Sequence, residues 1–283
     1  MDFNIKIFIK NYIKEPILLP LKHIKEIFIG AFILLLCSTV GLVSITAFGF
    51  MNSTSQSIVL FLISLPFSVL IYGYVGLIIK NILEDKNYLP SWMDLKSIIL
   101  IGVKINILLL LILFVIFIFY LLFERFSIIY AYWDVENILW VLYYPIGTIY
   151  FEATLLNNVY TFYPNIHLLI LILTILITPL LTLNIINNGI KSILNIKLIK
   201  NIISFEYLKV LVVILLYFLI SNTIYLIYTY TCLYNNLSSK LMYLFFPNFS
   251  IESFILEFIR KFLIFYFLVV IGETLGKYAK KHT

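Results

Sequence analysis

The sequence predicts an all-α polytopic membrane protein: six transmembrane helices forming three hairpins, each preceded by an amphipathic helix in the cytoplasmic interface. Three observations predict it. The chain of 283 residues is 63% hydrophobic and 12% charged, with a mean hydropathy of +1.06, whereas soluble domains carry about 25% charged residues. Residues 27–79, 53 in a row, hold no formal charge, room for two spans of roughly 20 residues each. Finally, 16 of the 20 Lys and Arg fall on one side of a zig-zag through six apolar runs. Basic residues are retained on the cytoplasmic side, so both termini are expected inside a multi-pass protein of the cell membrane.

The elements follow in order. Residues 1–26 carry five Lys and two Pro, mixed with Ile, Leu and Phe at helical spacing, a composition suited to the cytoplasmic headgroup region. No small-residue cleavage pattern follows, so the first apolar run is expected to stay as an anchor. The six spans read 27–50, 57–79, 104–123, 166–186, 209–231 and 252–275, within a single integral membrane domain, 1–283. The turn 51–57 (MNSTSQS) divides the first two. The inside segments 1–26, 80–104, 187–209 and 277–281 hold five, four, four and three basic residues; only Arg125, Lys240, Arg260 and Lys261 fall outside.

Residues 138–156 compete as a seventh span, but Pro145 and Gly147 interrupt them and Glu152 lies among them. Counting them would also turn Lys191, Lys197, Lys200 and Lys209 outward. They read instead as an interfacial or re-entrant part of an outer segment, 124–165, whose Trp133, Trp140, Tyr143, Tyr144 and Tyr150 suit the headgroup boundary. The three Asn-x-Ser/Thr sequons at Asn52, Asn236 and Asn248 fall on outside segments, as glycosylation requires, although an Asn-rich chain produces sequons by chance.

The inside segments share a layout. GLIIKNILEDK (76–86) aligns with NNGIKSILNIK (187–197), placing Lys80 against Lys191 and Lys86 against Lys197. Either three hairpin units repeat, as in many transporters, or juxtamembrane helices rich in Lys and Ile share a composition.

The second unit carries the most distinctive residues: Gly73-Tyr74, Leu89-Pro90-Ser91-Trp92-Met93-Asp94, then Gly102 and Lys104. In this order they resemble an archaeal and bacterial group of multi-pass membrane proteins, domain-of-unknown-function family 4013. The resemblance is clearest over about 65–110 and continues to the C-terminus, where 271–278 (IGETLGKY) matches the closing pattern. Lys80 stands where that family often has Arg, and Ser91 where an acidic residue is usual. The resemblance implies membrane location and span count, and no activity.

Two sets of residues are candidates for function. Pro90, Trp92, Asp94 and Lys104 form a cytoplasmic motif. As structure, Pro90 breaks the helix before it, Trp92 anchors at the headgroups and Asp94 caps the helix beginning near Leu95. As a site, Glu84, Asp85 and Asp94 would gather against Lys80, Lys86 and Lys104 to hold a lipid phosphate or a soluble partner. The second set lies in the last span, where Phe262 to Gly272 are the only charge-free stretch, about 16 Å of helix. Reaching about 30 Å requires including Glu257, Arg260 and Lys261. These charges either face the bundle interior, as functional charges do, or snorkel to the outer headgroups. Gly272 and Gly276 add a GxxxG for close helix packing.

No catalytic, cofactor or metal-binding signature is present: Cys37 and Cys232 stand alone, and His23, His167 and His282 form no metal-spaced pair. The partners expected are the bilayer and its anionic headgroups at the cytoplasmic face, and the +6 net charge, spread along juxtamembrane segments, argues against nucleic acid. The leading expectation is a non-enzymatic scaffold organising lipid or protein partners. A transporter or channel with a site near the last span is the alternative, and a lipid enzyme using Glu152 a remote one.

Overall fold

The computed structural model describes residues 5–47, 53–86, 88–123, 166–189, 204–217, 220 and 251–282. Among them the chain is helical, with no strand. The helices are α1 (Ile5–Lys22), α2 (Ile24–Ala47), α3 (Ser53–Leu83), α4 (Leu95–Phe123), α5 (Ile166–Asn188), α6 (205–217) and α7 (Ile251–His282). Two of these are long and apolar enough to cross a membrane, over Ile58–Leu83 in α3 and Leu95–Phe119 in α4. A third qualifies if α1 and α2, bent by 85° at His23, count as one. Six spans in three hairpins, the outer segment 124–165, the three sequons, Cys232 and the second copy of the repeat fall wholly or partly outside the described residues.

One correction concerns the interfacial helices. The stretch 80–104 holds no separate helix. Here α3 runs on to Leu83 and α4 starts at Leu95, so Lys80 belongs to the last turn of one and Lys104 to the body of the other. The cause is local. Asp85 adopts the left-handed conformation (φ 64°), and the Asp85 and Lys86 amides donate to the Ile82 and Asn81 carbonyls, closing α3 with a Schellman turn. Leu89-Pro90 then holds the chain extended, and α4 opens where the Ile98 amide donates to the Asp94 carbonyl.

Helices α3 and α4 approach through glycine. A methyl group on Gly73 would collide with the Ile98 carbonyl, and one on Gly102 with the Val69 carbonyl. The backbones therefore touch where neither residue has a Cβ. Beside this seam the buried Ser68 hydroxyl donates to Asn106 Oδ1, and Asn106 Nδ2 donates to the Gly102 carbonyl at 2.9 Å. The GxxxG of α7 does the same for α3, with Gly272 against Val75 and Gly276 against Ile79 and Ile82. One apolar cluster, including Ile27, Leu34, Ile71, Ile98, Phe265 and Val269, joins α2, α3, α4 and α7. A second, with Tyr12, Leu183, Tyr207, Val210 and Tyr278, joins α1, α5 and α6 to the C-terminal turns of α7.

Candidate functional site

Glu257, Arg260 and Lys261 of α7 lie inside the bundle. Glu257 accepts both hydrogen bonds of Arg260 Nη1, at 3.1 and 3.0 Å, one turn along the helix. Lys261 Nζ lies 3.7 Å from the same carboxylate. Lys261 is 0% exposed and Arg260 6%, so neither snorkels to the surface. The face they present is covered by α2, which brings the buried Ser38 and Cys37 side chains near Glu257 and Lys261. Burying such ions costs several kcal/mol each, offset only when the charges stay paired. Helical spacing of i, i+3 and i+4 sets both cations on the one Glu257 carboxylate, which offsets part of that cost.

The Pro90–Lys104 motif is taken up mainly by packing. Trp92 is buried against the protein: its ring stacks on Tyr74 at 4.2 Å and 13°, and touches Phe265 at 5.8 Å. Its Nε1 donates to the Glu26 carbonyl at 2.9 Å, while the Tyr74 hydroxyl donates to the Pro90 carbonyl at 2.9 Å. The motif thus pins the α3–α4 loop to the first turn of α2. Asp94 takes the N-cap position through its own carbonyl, and Lys104 sits half-exposed on α4, two positions beyond Gly102. Of the proposed acidic cluster, Glu84 pairs with Lys86 at 2.7 Å and Lys80 at 3.6 Å, whereas Asp85 pairs with Lys280 of α7. The motif's acids therefore serve two different elements and do not form one cradle.

The grouping that sequence reasoning missed is at the charged end of α7. Lys277 pairs with Glu15 of α1 and Glu273 of its own helix, both at 2.8 Å. Lys280 pairs with Asp85 in the α3–α4 loop, and Lys281 with Glu206 of α6 at 2.7 Å. Three lysines within five residues thus tie three distant segments to one helix. Glu206 also accepts from the Tyr12 hydroxyl at 2.9 Å, joining α1 to α6. The Lys277 ammonium holds the Glu15 carboxyl below the ordinary carboxylate range. Burial pushes the Glu206 carboxyl up, but hydrogen bonds from Lys281 and Tyr12 outweigh this and leave it lowered. Burial, with the Glu206 carboxylate, raises the Tyr12 hydroxyl. The spacing of 277, 280 and 281 around a helix was the available signal, but nothing local reveals acids 75 to 262 positions away.

Helix α1 lies across α7. The Tyr266 hydroxyl donates to the Ile17 carbonyl at 2.5 Å, while Lys277 meets Glu15. These α7 residues are eleven apart, about 16 Å along the helix, and reach opposite edges of α1. Among the described residues no group of three or more His, Cys, Asp or Glu is arranged to hold a metal ion.

No family model, curated protein or solved structure matches this chain.

Proposed function

We propose that the chain is a non-enzymatic, six-pass bundle of the cell membrane, with both termini cytoplasmic, that scaffolds lipid or partner proteins at its cytoplasmic face. One observation carries the reading: Lys277, Lys280 and Lys281 fasten α1, the α3–α4 loop and α6 onto the end of α7. That is an architecture for holding a surface in shape. The apolar packing of α2, α3, α4 and α7 around Ile71, Ile98 and Phe265 supports it, as does the glycine seam between α3 and α4. Close helix packing of this kind resists the relative helix movement that alternating access needs.

A second reading, a transporter or channel, is favoured by the buried Glu257–Arg260–Lys261 group, because charges kept inside a span commonly mark an ion or substrate route. Proteoliposomes separate the two. Vesicles loaded with a pH-sensitive or chloride-sensitive dye are expected to leak no faster with the protein than without it. A flux that disappears in Glu257→Gln and Lys261→Met would overturn the scaffold and install the transporter.

A further inference from the structure

Four stripes run along α1, and each meets a different environment. Phe8, Tyr12, Pro16 and Pro20 face the bundle; Tyr12 and both prolines are buried. Opposite them lie Lys6, Lys10, Lys14, Leu18 and Lys22, all exposed. The third stripe is Ile5, Ile9, Ile13, Ile17 and Leu21, wholly apolar; the fourth is mixed, Ile7, Asn11, Glu15, Leu19 and His23, with its polar residues Asn11 and Glu15 at its middle. Residues four apart drift around an α-helix of 3.6 residues per turn, and the wider π turn at Lys10–Lys14 takes up part of that drift.

The contacts with α7 fix how these stripes are turned. The apolar edge packs in one group with Tyr266, inside the long apolar run of α7, whose hydroxyl also donates to the Ile17 backbone carbonyl. The polar edge meets Lys277, near the charged end, through Glu15. Ile13 and Ile17 also pack with Val213, Tyr217 and Val270, while Ile5 and Leu21 remain 60% and 56% exposed. With α1 turned 85° from α2, its axis lies in the plane that a membrane-crossing α2 would enter. The apolar edge then points toward acyl chains and the polar edge toward water. The lysine row lies on the side away from the bundle, at the level between them, with Lys10 3.9 Å from Glu15 of the polar edge.

We propose that this row binds the phosphates of anionic lipids in the cytoplasmic leaflet, making α1 a lipid-reading edge of the bundle. The proposal rests on the membrane reading above. Four ammonium groups over 16 residues, about 24 Å, match a line of neighbouring headgroups. Lysine stems beside isoleucines are suited to lying along acyl surface while the charge reaches the phosphate.

The test uses the purified full chain with phosphatidylglycerol and phosphatidylcholine, reading retained lipid by native mass spectrometry. The wild type is expected to retain phosphatidylglycerol preferentially. Replacing Lys6, Lys10, Lys14 and Lys22 together by Gln is expected to reduce that preference at least about tenfold, given roughly fivefold per lysine near an anionic surface. Replacing the four by Arg is expected to preserve it, and Lys86→Gln with Lys96→Gln to leave it unchanged. Thermal unfolding of each variant identifies any that has not folded, and the Arg variant then decides. Equal retention of both lipids, equal loss in the Lys86/Lys96 control, or loss in a folded Arg variant would overturn the proposal. So would displacement of the lipid by millimolar glycerol phosphate, which would assign the row to a soluble phosphate. Flux in the vesicle assay would remove the scaffold reading without touching this result.

Discussion

At the scale of single residues, Gly73, Gly102 and Trp92 determine how closely helices meet. Gly102→Ala sets a methyl group against the Val69 carbonyl, and backbone cannot rotate away as a side chain does. We expect a loss of about 2 kcal/mol or more, read as a lowered unfolding midpoint in detergent. Gly272→Ala is a milder change, because its Cβ would meet the Val75 side chain at 3.0 Å. An equal loss from the two substitutions would refute the backbone-contact account. Trp92→Phe keeps a ring against Tyr74 but drops the hydrogen bond to the Glu26 carbonyl, at about 1 kcal/mol. Trp92→Ala empties the space at about 3–5 kcal/mol. The motif around these residues was visible in the sequence; their burial was not. A Trp beside a Pro at a span end reads as a headgroup anchor until α2, 66 positions earlier, supplies an acceptor.

At the scale of elements, α1 is held by partners that titrate. Glu15 and Glu206 both have lowered carboxyl values in the folded protein. A depressed carboxyl contributes stability that is complete above its unfolded value, near 4.5, and lost as pH falls through the folded one. The attachment of α1 and α6 to α7 is therefore expected to hold from neutral pH down to about 5 and to weaken below about 4.5. Amide exchange across residues 5–22, measured against pH, should accelerate there while α3 and α4 stay protected. Glu15→Gln together with Glu206→Gln is expected to remove that pH step; an unchanged step would exclude these carboxyls as its source. The amphipathic start of α1 was legible from lysines spaced among isoleucines. Its edge contacts were not, because periodicity reveals which faces a helix has and not which neighbour each face meets.

For the molecule as a whole, the apolar runs were read well because hydropathy is a local property. Helices α2 and α3 begin and end within four residues of the runs at 27–50 and 57–79, while α7 starts one residue before the run at 252–275 and continues seven beyond it. The interfacial helix expected before the third span failed for an equally local reason, the left-handed Asp85 and the extended Leu89-Pro90. Topology is testable directly. With Cys37 and Cys232 replaced, single cysteines at Tyr130, Ile190 and Lys240 are expected to react with an impermeant maleimide at 130 and 240 only. Labelling of position 190 from outside would dismantle the six-span arrangement.

The partners of α7 also impose an order in time. Its lysines close on residues made 75, 195 and 262 positions earlier, and it is the last described helix to leave the ribosome. At 5–20 residues per second, α1 waits on the order of ten seconds or more after synthesis before its carboxylate finds Lys277. Until then α1 has only the earlier helices, through Tyr12 to Glu206 and Tyr217, and Lys10 beside Glu15, so its contact with α6 is available before its contact with α7.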